Sequence, residues 1–199
     1  NSTHHIRAEH VMASGALPPG FPAVDIDGEP YWDGGIVSNT PLDWILTNLP
    51  LLDTLAFQVD LWSARGAVPR NIGQVAERLK EIQYSSRTRA STDHFRQLQS
   101  ARALVQALLD KLPPDLRQSP EAAELCRLAD PSVHNIVQLI YHSPPEELES
   151  KDYNFSRVAM TAHWAQGHAD AVRTLAEPAI YTRPTSSHGV QTFDFCTAR

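Results

Sequence analysis

The chain has 199 residues, enough for one substantial core or for one domain with an appendage, but not comfortably for two large domains. Its composition, 42% hydrophobic and 20% charged, is that of an ordinary soluble globular protein, with no apolar run long enough to span a bilayer and no signal-peptide pattern. The net charge of −6, without any aromatic-plus-basic module, argues against nucleic acid as a partner.

The opening segment, "NSTHHIRAEH", starts without Met and reads as the interior of something longer, so the sequence is expected to be a fragment. The composition shifts near "SARGAVPRN", dividing residues 1–62, with short apolar stretches and many turn signals, from residues 63–199, where long amphipathic patterns dominate. In the first part Asp27-Gly28 lies between "AVDI" and "EPYW". That pair suits a two-residue type I′ hairpin turn, because both central residues need positive φ, and it sets Ile26 opposite Glu29 and Val24 opposite Tyr31. Asn39 or Thr40 can cap a helix over "PLDWILTN", with Pro41 suited to its first turn. "TLAFQVDL" then suits a buried strand, and the order strand, helix, strand marks an α/β layer.

The second part reads as mostly helical. Ile72, Val75, Ala76, Leu79 and Ile82 recur at helical spacing, which predicts a buried stripe, with Glu77, Arg78, Lys80 and Glu81 on the wet face. Phe95, Leu98, Ala101, Val105, Leu108 and Leu112 repeat the pattern up to Pro113-Pro114. "HNIVQLIYH" is short and β-rich, hence a strand. Val158, Ala162, Ala165, Ala169, Val172 and Leu175 give a last helix, capped at Asn154 or Ser156.

The chemistry-bearing candidate is Asp33 in "YWDGGIVSNTPL", residues 31–42. Two following glycines let a substrate or a neighbouring loop approach closely, so the carboxylate can orient or deprotonate a hydroxyl nucleophile. It can equally accept backbone N–H bonds and hold its own turn, as most Asp-Gly pairs do; on the residues alone both readings stand. His163 and His168 lie five apart on a helix and face different ways, which does not suit a zinc pair. Cys126 and Cys196 have neither metal spacing nor the density of a disulfide scaffold, which favours a reducing cytoplasm. Arg87, Arg89, Arg96 and Arg102 stand against Asp93 alone, either as a site for lipid phosphate or an anionic bilayer, or as a solvated helix face. Trp32, Trp44, Trp62 and Trp164 could line an acyl groove or pack in cores.

"ASGALPPGFP" (13–22) followed by "YWDGGIVSNTPL" resembles the C-terminal half of the patatin-like phospholipases, in particular the bacterial type with an extra helical C-terminal region. "VAERLKEIQYSSRT" and "MTAHWAQGHADA" resemble that extension, so the likeness covers nearly the whole chain. It implies an α/β fold, the C-terminal part of a three-layer patatin-like hydrolase (1–62) followed by a mostly helical extension (63–199). It also implies a Ser-Asp dyad that cleaves lipid or other acyl esters through an acyl-enzyme, without cofactor or metal, in the cytoplasm or at a membrane periphery. Asp33 falls on the family's catalytic aspartate. The chain departs from the family in lacking the G-x-S-x-G elbow and the Gly-rich oxyanion loop, and Ser14 is no elbow serine because no Gly lies two positions before it. The nucleophile is therefore expected outside these residues, and the chain alone is expected to be inactive. The alternative is a non-catalytic module that binds lipid or protein; a further reading makes the helical region a regulator of access to the site.

Overall fold

The computed structural model describes residues 4–47, 52–142, 154–185 and 189–196. Two compact units, Asn1–Thr40 and Pro41–Arg199, are taken in turn.

In the first unit a short helix, α1 (Ala8–Ala13), precedes a hairpin of β1 (Val24–Ile26) and β2 (Glu29–Tyr31). The strands pair antiparallel with Val24 opposite Tyr31 and Ile26 opposite Glu29, the register expected from Asp27-Gly28. Asp27 and Gly28 take φ of 56° and 90°, the paired left-handed conformations of a type I′ turn. Gly28 N–H donates to Asp25 (3.1 Å) and Arg7 pairs with Asp27 (2.9 Å), tying the turn to the start of α1. A 3-10 turn, Gly34–Ile36, follows directly after Trp32 and Asp33.

The second unit is built on a parallel three-stranded sheet: β3 (Thr54–Asp60), β4 (His134–Ile140) in the centre and β5 (Val190–Asp194) at the other edge. With the helices α2 (Leu42–Thr47), α3 (Ile72–Leu109), α4 (Pro114–Arg117), α5 (Pro120–Leu128) and α6 (Arg157–Leu175), this makes the chain α/β with long helical additions, as expected. On one face of the sheet, Ala56, Ile136 and Val190 pack with Phe95 of α3 and with Leu42 and Leu46 of α2. On the other, Val137 and Phe193 pack with Ile180 from a 3-10 turn, Pro178–Tyr181. The central strand is covered on both faces, and Ile136 and Val137 are wholly buried.

Three expectations are corrected by this packing. The strand β3 is not buried throughout: it is an edge strand whose Gln58 and Asp60 point inward while Leu55, Phe57 and Val59 are exposed. Next, α3 is one helix of 38 residues, since "QYSSRTRASTDH" offers no Pro or Gly to break it, and its inner face is the polar one. Glu77, Glu81, Ser85, Thr88, Thr92, Phe95 and Gln99 are buried at helical spacing, whereas Ile72 is 88% exposed and Val75, Leu79 and Ile82 are exposed beside it. Such a face can be buried because its hydroxyls are satisfied within the helix: Ser85 donates to the Glu81 carbonyl (2.6 Å) and Thr92 to that of Thr88 (3.0 Å). Arg78 adds bonds from α3 to the loop after β3, donating to the carbonyls of Ser63 (3.2 Å) and Ala64 (2.6 Å) and pairing with Glu81 (2.7 Å).

The third correction is α6, where Ser156 caps the helix as expected by accepting from Ala159 N–H (3.2 Å), but the expected stripe faces outward, with Val158, Val172 and Leu175 exposed. The lower stripe of α3 holds only in part: Phe95 is buried and Val105 and Leu112 pack against Ala122 and Ala129, but Leu108 is exposed and its neighbour Leu109, outside the expected stripe, takes the buried place.

Candidate functional site

Asp33 sits where the hairpin ends, and the backbone there is fixed from both sides. Its N–H donates to the Ala16 carbonyl (3.0 Å), and its carbonyl accepts from Ile36 N–H (3.2 Å). The side chain, half-buried, caps the 3-10 turn by accepting from Gly35 N–H at 2.7 Å. A Cβ at position 35 would lie 3.1 Å from that carboxylate and 3.2 Å from the Asn39 side-chain oxygen, tighter than ordinary contact, while one at position 34 would meet nothing within 4 Å. The glycine that the close approach requires is therefore Gly35. One carboxylate oxygen holds the turn, which leaves lone pairs on the other for a hydroxyl.

The four tryptophans divide. Trp62 is buried and stacks on Tyr84 of α3 (5.0 Å between centroids, 19° between planes). Trp32, Trp44 and Trp164 are exposed, and the indole N–H of Trp32 donates to the Phe21 carbonyl (3.3 Å). The arginines divide as well. Arg96 pairs with Asp93 on the surface (2.8 Å), Arg87 lies over the Tyr84 ring (5.9 Å), and Arg89 lines a crevice. Ser14, exposed at the end of α1, gives its backbone N–H to His10.

That crevice, about 580 Å³, opens where β3, β4 and β5 end at their carboxyl termini, the place where parallel α/β sheets commonly bind ligands. Gln58 and Asp60 of β3, Gln138 of β4 and Asp194 of β5 line it from below, with Ser85 and Thr88 of α3 opposite. Sequence reasoning missed it. The signal was two polar residues, Gln58 and Asp60, alternating with apolar ones in "TLAFQVDL". Cys196, also on its wall, is buried, which pushes its thiol up and away from the reactive thiolate.

At the opposite end of β4, Asp130, Ser132 and His134 are buried together. The constellation has the residues of a hydrolytic triad but not its wiring. Ser132 Oγ donates to Asp130 (2.5 Å), so the His134 Nε2–H donates to Ser132 (3.1 Å) and cannot serve as its base. His134 is held below the usual imidazole range chiefly by burial, against the raising influence of Asp130 and Asp53 and with a further lowering from Arg102. Among the described residues no group of His, Cys, Asp and Glu has metal-holding geometry, and no helix is long and apolar enough to cross a membrane.

Comparison with known families matches residues 82–187, just over half of the chain, to a family described as patatin phospholipase. Residues 3–44, which contain Asp33, match the patatin-like phospholipases. Neither the curated proteins nor the solved structures compared with the chain gave a match.

Proposed function

The chain belongs to the patatin phospholipase family, whose members are lipid hydrolases by description, and on that premise we propose that Asp33 is the general base of a Ser-Asp dyad acting on lipid acyl esters. The observation that carries the reading is the Asp33 turn: a half-buried carboxylate, fixed by Ala16 and Gly35, inside the stretch matched to the patatin-like phospholipases. The serine takes its place in a G-x-S-x-G elbow, a motif these 199 residues do not contain, so the dyad is a property of an intact parent and the chain alone is inactive. In that parent, Asp33 accepts the serine proton as the hydroxyl attacks the ester carbonyl. It returns the proton to the alcohol leaving group, and water then clears the acyl-enzyme. Residues 1–62 belong in this reading to the catalytic domain and residues 63–199 to its extension, in a cytoplasmic protein with peripheral membrane contact.

A second reading, a non-catalytic module that binds lipid or protein, is favoured by one specific observation: the bond from Gly35 N–H already gives the Asp33 carboxylate a structural task. Asp33→Asn in the parent separates the two. Asparagine keeps an oxygen for Gly35 but cannot take a proton, so turnover of p-nitrophenyl esters should fall by about 10²–10⁴-fold with the fold intact. Asp27→Asn, in a turn that tolerates asparagine at positive φ, should leave turnover nearly unchanged. Equal and small losses from both substitutions would remove Asp33 from the chemistry and leave the binding module.

A further inference from the structure

We propose that the crevice at the carboxyl ends of β3, β4 and β5 is a binding site for a small zwitterion, a free α-amino acid. The lining residues all fall within 58–196, so the inference is independent of the role of Asp33.

The first support is the pattern of charge. The lining holds two guanidinium groups, of Arg65 and Arg89, and two carboxylates, of Asp60 and Asp194. Arg65, Arg89 and Asp194 are exposed, whereas Asp60 is only 4% exposed and accepts from Trp62 N–H (3.0 Å). Among the described residues Arg65, Arg89 and Asp194 form no ion pair: Arg89 Nε donates to the Ser85 carbonyl (3.4 Å), and one Asp194 oxygen accepts from Cys196 N–H (3.0 Å). With His142 neutral, the lining sums to no net charge yet carries both signs. A lone anion or a lone cation meets one attractive pair and one repulsive pair, whereas a molecule carrying both charges gains from each.

The second support is a buried amide. Gln58, only 5% exposed, lies beside Gln138 (3.1 Å) and Thr92 (3.4 Å). Thr92 gives its hydroxyl proton to the Thr88 carbonyl (3.0 Å), so towards Gln58 it can only accept. With the Gln58 oxygen turned to these neighbours, its NH₂ has no protein partner among the described residues; with the amide turned round, the oxygen is the atom left over. In either orientation one buried polar atom of the lining is unsatisfied, which is costly. The hydroxyls opposite supply acceptors, because Ser85 and Thr88 donate their protons to the carbonyls of Glu81 (2.6 Å) and Tyr84 (3.3 Å). An ammonium group donates to such oxygens and to Asp194, and a carboxylate accepts from the guanidinium groups; between them they offer Gln58 both a donor and an acceptor. At about 580 Å³ the crevice has room for such a molecule.

Calorimetric titration of the 199-residue chain with L-glutamine, L-alanine, propanoate and ethylamine tests this. The last two carry the carboxylate and the ammonium of alanine separately. Saturable binding of the amino acids is expected, about tenfold or more tighter than that of propanoate or ethylamine. Kd should rise about tenfold or more when Arg65 and Arg89 are replaced together by Gln, and likewise on Asp194→Asn, which keeps an oxygen for Cys196 N–H. Arg96→Gln, which removes a surface arginine already paired to Asp93, should leave Kd unchanged. The replaced side chains are exposed, so the variants should keep the far-ultraviolet helical signal, and each arginine variant is also titrated singly. Equal affinity for alanine and propanoate would make the crevice a plain anion site and overturns the proposal. Binding that Asp194→Asn does not weaken, or no saturable binding of either amino acid up to about 10 mM, overturns it as well.

Discussion

The Asp33 carboxylate accepts a hydrogen bond of 2.7 Å from the backbone N–H of Gly35, two residues ahead of it. The residue read as a base is thus also the cap of its own 3-10 turn. The two tasks are compatible, because the bond that holds the turn also fixes where the carboxylate points. Preorganisation of that kind is what a base needs if proton transfer is to occur in one geometry.

Gly35→Ala tests that coupling. The new methyl would lie 3.1 Å from the Asp33 oxygen and 3.2 Å from that of Asn39, so the carboxylate must shift by a few tenths of an ångström. Thermal melts should show a loss on the order of 1 kcal/mol, and in the parent enzyme turnover should fall roughly tenfold. Gly34→Ala, whose methyl meets nothing within 4 Å, should change neither. Equal effects at the two positions would show that the cap does not orient the carboxylate.

A second prediction concerns acid stability. Burial holds the folded His134 below its unfolded value of about 6.5. Between those two values the unfolded chain binds the additional proton, so stability rises with pH across that window. The contribution is complete above about 6.5 and is lost as pH falls through the folded value. His134→Gln should flatten the urea midpoint over this range. Asp53 acts lower down: Arg183 (2.7 Å) and the Val133 N–H (3.0 Å) depress its carboxyl, so its contribution is complete above the ordinary carboxylate value and is lost as pH falls from there through the depressed folded value. A wild-type midpoint that is flat below neutrality would contradict the assignment to His134.

What the sequence revealed follows from the range of the forces involved. The Asp27-Gly28 hairpin was legible down to its register, because a two-residue turn with positive φ is specified by its own residues. The segments that became β3 and β4 were visible as short apolar runs. β5 was not read, because "VQTFD" shows no period-two alternation and its place is set by pairing with β4, more than forty residues earlier in the chain. The inverted face of α3 was illegible for a different reason. Periodicity shows that a helix has two faces, and the usual rule assigns the apolar one to the interior; here the loop at Ser63 and Ala64 and a polar crevice lie against the helix and select Glu81, Ser85 and Thr88. The crevice itself gathers residues from three strands and a helix, so no local motif announced it.

Gln99 offers a third measurement. It is wholly buried on α3, and its NH₂ donates to the carbonyls of Ser132 (2.9 Å) and Asp130 (3.4 Å), pinning the loop that leads into β4. Gln99→Leu keeps the bulk but strands those carbonyls, which should cost about 1–3 kcal/mol; release of the unpaired Gln99 side-chain oxygen offsets part of this. Gln99→Glu, which buries a charge in place of the amide donor, should be worse. Urea midpoints should fall in that order at constant m. A neutral Gln99→Leu would mean that the loop is held by Asp130 and Ser132 alone.

The last prediction addresses the exposed apolar surface. Parallel strands are normally covered on both faces. In β3 the face bearing Leu55, Phe57 and Val59 is nevertheless open, and the strand lies at the edge of its sheet. An open apolar face on an edge strand favours association, because burying it releases water and an unpaired strand edge can add a neighbour. The isolated chain should therefore bind a hydrophobic dye and self-associate as its concentration rises, which dye fluorescence and light scattering would record. Replacing Phe57 and Val59 by Thr retains β-propensity and removes apolar area from the exposed side. Dye binding and association should then drop, while the melting temperature moves little, since these side chains are about half exposed already. A loss of several kcal/mol instead would show that the two side chains are buried in the folded protein, as core positions are, and that this face of the sheet is not open to water.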